Sequence, residues 1–330
     1  MTDADAVPER RFKYRTMLFK KRWLTAGAVI ILVAGVWIAR EPIADQFIRD
    51  ELDSRGVPAR YTIDRIGFRS EILSDIVIGD PKHPDLTAKR VEVLLGYGWR
   101  GPYVSGINAE GVRLYGRFVD GRLSFGSLDR FRDPTSTDPF ALPDLSVVLR
   151  DARARVETPL GDVGAALNGG GNLRRDFTGK LALVAPTVAA AGCSGSDISF
   201  YGTVLVRDVR PRIVGPLRGA ALRCADGRVA VASPQVALDL SLSEDLQSWK
   251  GKADASIVRL VAGPVEADRM GVLARFDGTA VLTVLDIDAD MARLRSADFA
   301  ADTVNLAAKG SVGSAAPKFD GRIGFARARG

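Results

Sequence analysis

From Ala59 to Gly330 the chain is written in short runs that alternate apolar and polar residues. In Val236-Ala-Leu-Asp-Leu-Ser-Leu242, the side chains of Val236, Leu238, Leu240 and Leu242 point one way, and Ala237, Asp239 and Ser241 the other. Ile198 to Val206 and Val281 to Asp290 behave similarly. A period of two is that of a strand with one dry and one wet face. Four Asp-Gly pairs punctuate these runs: Asp120-Gly121, Asp226-Gly227, Asp277-Gly278 and Asp320-Gly321. Flanked by alternating residues, each predicts a tight hairpin turn, which needs positive φ. The pattern predicts a mainly β body over 59–330, built as one long antiparallel meander. At roughly 13 residues per strand and turn it holds on the order of 20 strands, reaching about 100 Å at ~4.8 Å between neighbours. Arg130 to Pro143, with Pro134, Pro139 and Pro143, reads as an irregular excursion within that sheet.

The pattern before Ala59 is different. Trp23 to Ala39 is seventeen residues without a charge, bracketed by Arg22 and Arg40. At about 1.5 Å per residue it spans roughly 26 Å, close to the ~30 Å hydrocarbon core of a bilayer. Trp23 and Trp37 stand near its ends, where indole prefers the interface. The run is longer than a signal-peptide core, and Trp37-Ile38 occupies the place of a small-residue cleavage site. A retained transmembrane anchor over 23–39 is therefore expected. Glu41 to Gly56 reads as a short amphipathic helix, with Pro42 in its first turn and Ile43, Phe47, Ile48 and Leu52 on one stripe. It would cap the open end of the sheet or lie on the membrane surface.

Charge sharpens the orientation. The net charge is +6, yet residues 1–22 alone carry seven basic and three acidic side chains. This basic flank holds the N-terminus in the cytoplasm and sends the body across the membrane. The other 308 residues carry 39 basic and 37 acidic side chains, which gives no support to nucleic-acid binding. Cys193 and Cys224 are the only cysteines. Outside the cytoplasm they are a candidate disulfide, the alternative being two unpaired, half-buried thiols. Two cysteines without a nearby histidine cannot complete a tetrahedral metal set. His83, the only histidine, sits between Lys82 and Pro84 in a turn. Asp286, Asp288 and Asp290 line a solvated strand face and lack the glycine and terminal glutamate of a calcium loop. Asn168-Gly-Gly-Gly171 has no following Lys-Ser/Thr. No catalytic motif, metal site or cofactor fingerprint is present, and an enzyme is not expected.

The basic flank, single anchor and amphipathic helix are followed by Ile72-Leu-Ser-Asp-Ile-Val-Ile-Gly-Asp-Pro81 and Thr87-Ala-Lys-Arg-Val-Glu-Val93. Together they resemble the opening of an AsmA-like protein. Gly111-Val-Arg-Leu-Tyr-Gly116 and Asp120-Gly-Arg-Leu-Ser-Phe-Gly126 resemble the YdbH-type branch. The resemblance covers residues 20–130 and continues beyond them only in texture. It implies a bridge-like lipid carrier of a Gram-negative envelope: a single-pass inner-membrane protein with its bulk in the periplasm. Its sheet would curl into an open groove whose apolar face shelters the acyl chains of a phospholipid. An outer-membrane or periplasmic protein would be its partner. The groove candidates are Ile198, Phe200, Val204, Val206, Val236, Leu238, Leu240 and Leu242. Members of the family tend to be longer, so the resemblance also implies a chain truncated at its C-terminus, or a short relative. The residues themselves leave two alternatives open. The dry face could pack against a second sheet, as in a sandwich. The protein could equally be a non-catalytic structural or assembly component of the envelope or of a secretion apparatus.

Overall fold

The computed structural model describes residues 52–99, 101–119, 122–131, 141–190, 192–279, 281–313 and 318–330. The chain divides into two units, Met1–Asp53 and Ser54–Gly330. The expected basic flank, the anchor over 23–39 and most of the helix over 41–56 lie outside the described residues. Residues 52–54 are helical, and the chain leaves that helix through Gly56 at φ +64°, the left-handed exit that favours glycine. Among the described residues no helix is long and apolar enough to cross a membrane.

The alternating runs form strands. In order they are β1 (Ala59–Ile66), β2 (Ser70–Asp80), β3 (His83–Gly98), β4 (Gly101–Glu110), β5 (Arg113–Val119) and β6 (Arg122–Ser124). A 3-10 turn, η1 (Gly126–Phe131), precedes β7 (Ser146–Thr158), β8 (Gly161–Asn172), β9 (Thr178–Ala190) and β10 (Cys193–Arg207). Then come β11 (Arg210–Arg218), β12 (Ala221–Cys224), β13 (Val229–Ala232), β14 (Gln235–Leu242) and β15 (Ser248–Ala262). The last are β16 (Val265–Thr279), β17 (Leu282–Arg295), β18 (Ala300–Gly313) and β19 (Lys318–Ala326). All nineteen belong to one sheet.

Several strands are halves of one rung. Pairing of β3 with β4 passes without a shift from Arg90↔Glu110 to Thr87↔Arg113 in β5. In the same way β11 and β12 together face β10, and β13 and β14 together face β15. With β6 a three-residue addition, the nineteen strands make fifteen rungs. At ~4.8 Å per step the sheet measures about 65–70 Å across its strands, shorter than the sequence estimate because the rungs are longer and fewer.

Two expectations need correction. The sheet is mixed, not purely antiparallel: β7 runs parallel to β4 and to β5. The reason is the excursion after β6, which returns the chain to the starting end of β4 before the next rung begins. Asp277-Gly278 and Asp320-Gly321 lie inside β16 and β19 and are not turns. There glycine supplies space, not positive φ: a Cβ on Gly278 would stand 2.5 Å from the Leu282 carbonyl oxygen. Asp226-Gly227 does form the turn between β12 and β13, with φ of 56° and 85°.

A crease crosses the second half of the sheet. It runs through Asp197 in β10, the break at Gly219-Ala220, Ser233, Arg269 in β16 and Arg293 in β17. Asp197, Ser233, Arg269 and Arg293 take φ of 49–54°. A left-handed residue in a strand shifts the phase of the alternation by one. A Cβ on Gly195 would therefore meet the Ile198 side chain at 3.2 Å, three residues away and on the same face. Asp151 in β7 and Gly111 between β4 and β5 mark a second such line in the first half.

Candidate functional site

Directly paired residues share a face, so the register gives the surface chemistry row by row. One row takes one residue from each rung: Ile63, Leu73, Val91, Ala109, Leu149, Gly169, Gly179, Val204, Ile213, Leu240, Gly251, Phe276, Leu285, Gly310 and Phe319. It holds no polar side chain across all fifteen rungs. A second row from Ala59 to Ile323 is equally apolar and includes Leu114, Leu183, Phe200, Leu217, Val236 and Leu306.

One residue along each strand, the character reverses. Asn168, Lys180, Thr203, Val214, Asp239, Lys252, Arg275, Asp286, Lys309 and Asp320 form a row on the opposite face. Its charges pair across strands. Lys309 stands 3.2 Å from Asp286, and Arg275 stands 3.1 Å from Asp288. The Arg212 guanidinium donates two hydrogen bonds to Asp239, at 2.7 and 2.6 Å, and these hold that carboxyl below its usual range. Arg113 and Arg153 do the same for Asp151 at the line of kinks in the first half of the sheet. No group of acidic, histidine or cysteine side chains among the described residues could hold a metal ion.

No second sheet lies on the apolar face among the described residues. All the described strands belong to the one hydrogen-bonded sheet, and η1 lies against β2 and β3. The described strands thus form no sandwich of two separate sheets. Leu238, Leu240 and Leu242 accordingly remain half-buried instead of closed away.

Glycines and aromatic rings shape the floor of this face. Gly202 and Gly215 pair across β10 and β11 at the same level, and the Phe200 ring lies over both. A Cβ would approach Phe200 Cζ to 2.5 Å at Gly202 and to 3.1 Å at Gly215. Phe276 lies on Gly251, Phe319 on Gly310, and Phe177 on Gly169 and Gly179 in the same manner. A ring that lies flat in a glycine gap fills the floor without standing up into the space above it. Phe200 lies against Gly202 and Gly215 and is only 5% exposed.

Along the crease the apolar face closes on itself. Ala267 and Ala301 on one side meet Met291 and Val304 on the other, with Leu260, Met270, Leu294 and Phe299 around them. Val304 is fully buried and Ala267 nearly so. Glu71 is a polar intrusion near the other end. It pairs with Ile66 and Val93, and burial pushes its carboxyl above the usual range.

Cys193 and Cys224 face each other as a directly opposed pair of β10 and β12 and are joined as a disulfide, with their Cα atoms 3.9 Å apart. The Ala225 N–H donates to the Gly192 carbonyl, so the pair is of the close, non-hydrogen-bonded kind. His83 is the exposed first residue of β3. All eight groove candidates, Ile198, Phe200, Val204, Val206, Val236, Leu238, Leu240 and Leu242, stand on the one apolar face. Sequence reasoning missed the glycine–ring floor. Its trace is there in Phe200-x-Gly202, where a ring and a glycine share a face at a spacing of two.

No curated protein and no solved structure matches the chain. A family model does match, over residues 28–300, and it is described as YdbH-like, intermembrane phospholipid transport protein YdbH. That match takes in the whole of β1 to β17, and the chain belongs to the YdbH-like family.

Proposed function

We propose that this chain is an inner-membrane-anchored, periplasmic component of phospholipid transport between membranes, and that its apolar face shelters the acyl chains. The observation that carries this reading is the unbroken apolar row across fifteen rungs, backed on the other face by a row of paired charges. A sheet with a polar back and an uncovered apolar front gives hydrocarbon a continuous low-cost path, because exposed apolar area costs roughly 25 cal/mol per Å² in water. From Ile198 to Val206 the front of β10 measures about 27 Å. Half a bilayer core is about 15 Å, so an acyl chain fits along one strand with its head group at the rim. The family supplies the cargo class, and the disulfide suits an oxidising compartment. No step of this function requires covalent chemistry.

The reading is tested by a photo-crosslinking residue placed at position 204 or 240, against positions 203 or 241 on the polar back. Phospholipid adducts are expected from the first pair and not from the second. Protein adducts alone at 204 and 240 would favour the scaffold reading, in which the face is covered by a partner. Equal lipid labelling of both faces would contradict a groove.

A further inference from the structure

We propose that the two adjoining turns at the start of the sheet, between β1 and β2 and between β3 and β4, form a docking edge for the surface of an anionic phospholipid bilayer. Four exposed aromatic side chains gather there. Trp99 is 90% exposed, Phe68 60%, Tyr97 59% and Tyr103 57%. The turns are joined to each other. Leu95 donates its N–H to the Arg69 carbonyl at 2.8 Å, and the Tyr97 hydroxyl donates to the Phe68 carbonyl. Tyr103 packs against Gly96, so the β3–β4 tip is braced.

Folded proteins rarely leave large aromatic side chains so open together, and such patches mark an interaction surface. Tryptophan and tyrosine in particular favour the head-group layer, where the ring is apolar and the N–H or O–H stays wet. The charge selects the kind of bilayer. Arg65 and Arg69 are exposed at the same edge, and no acidic residue occurs from 65 to 70 or from 94 to 105. An aromatic fringe with exposed basic residues is complementary to anionic lipid. The proposal rests on the transport reading only for its purpose: docking here would set the first rungs of the apolar face beside the lipid they take up.

The test uses the full chain, reconstituted into vesicles of phosphatidylethanolamine and phosphatidylglycerol, with Trp99 as its one tryptophan (Trp23→Phe, Trp37→Phe, Trp249→Phe). Trp99 emission is expected to be blue-shifted, quenched by lipid brominated near the head group, and shielded from iodide. Arg65→Glu with Arg69→Glu should lower the docked fraction by about fivefold or more, since each basic residue near such a surface is worth ~1 kcal/mol. Should the tryptophan replacements impair folding, hydrogen exchange of residues 95–104 in the unaltered chain, in vesicles against phosphatidylcholine vesicles, asks the same question. Protection only on the anionic vesicles is expected. Trp99 fully open to iodide, untouched by brominated lipid and unaffected by the charge reversal, would overturn the proposal. Phospholipid retained through detergent purification is measured on the same protein. Retained phospholipid with an open Trp99 defeats the docking edge alone, and a shielded Trp99 without retained phospholipid defeats the groove alone.

Discussion

The floor around Val204 and Leu240 and the crease around Ala267 and Val304 belong to the same apolar face, and they are built for opposite ends. At the crease a phase shift in the alternation folds the face onto itself, so Val304 is fully buried. On the floor the same kinds of residue stand in line along straight strands, where Phe200 and Val206 are buried but Leu240 stays half-exposed. The difference teaches that apolar alternation by itself does not make a core. Where a left-handed residue bends the strands, it makes a seam, and where the strands run straight, it makes a surface.

Four perturbations separate the two. The largest effect belongs to Val304→Glu, which buries an unpaired charge in the seam. A cost of several kcal/mol is expected, seen as loss of the folded body in thermal or urea melts, whereas Leu240→Glu should melt close to wild type. Equal losses at both positions would erase the distinction. Next is Cys193→Ser with Cys224→Ser. The disulfide closes a separation of 31 residues, and its removal should cost about 3–4 kcal/mol, read as a lower urea midpoint that reductant no longer changes.

Gly202→Ala tests the floor. Its Cβ would stand 2.4 Å from the Val214 carbonyl oxygen and 2.5 Å from Phe200 Cζ, so a loss of about 1–3 kcal/mol is expected from overpacking. Gly324→Ala, with nothing within 4 Å, is the matched control and should be close to neutral. The smallest effect is at Glu71. Burial raises its carboxyl pKa in the folded state, so the folded state holds the proton more tightly than the unfolded one. Stability therefore falls as pH rises from the ordinary carboxyl range through the raised value, and it stays lower at neutral pH. Glu71→Gln should raise Tm slightly at pH 7 and leave it unchanged near pH 4.

Much of this was legible in the chain. The runs at 198–206, 236–242 and 281–290 became parts of β10, β14 and β17 with the expected residues on the apolar face. What the alternation could not reveal was its own change of phase. Gly195 and Ile198 share a face only because Asp197 takes positive φ, and no local pattern marks that aspartate from Asp239. The parallel pairing of β7 depends on where a long excursion returns, which is a property of distant residues. Asp277-Gly278 and Asp320-Gly321 mislead because the same dipeptide that makes a turn can also leave room for a neighbouring backbone or ring. The anchor over 23–39 lies outside the described residues and rests on its hydropathy, length and flanking charge.

The central claim is that the uncovered apolar face holds phospholipid, and the most direct measurement is phospholipid per protein after mild detergent extraction, by mass spectrometry, paired with a melting curve. Wild type and a polar-back variant, Thr203→Glu, should carry phospholipid. Leu240→Glu and Val204→Glu should lose it while their melting stays close to wild type. A wild type free of phospholipid, together with collapse of the fold in both front-face variants, would contradict the account.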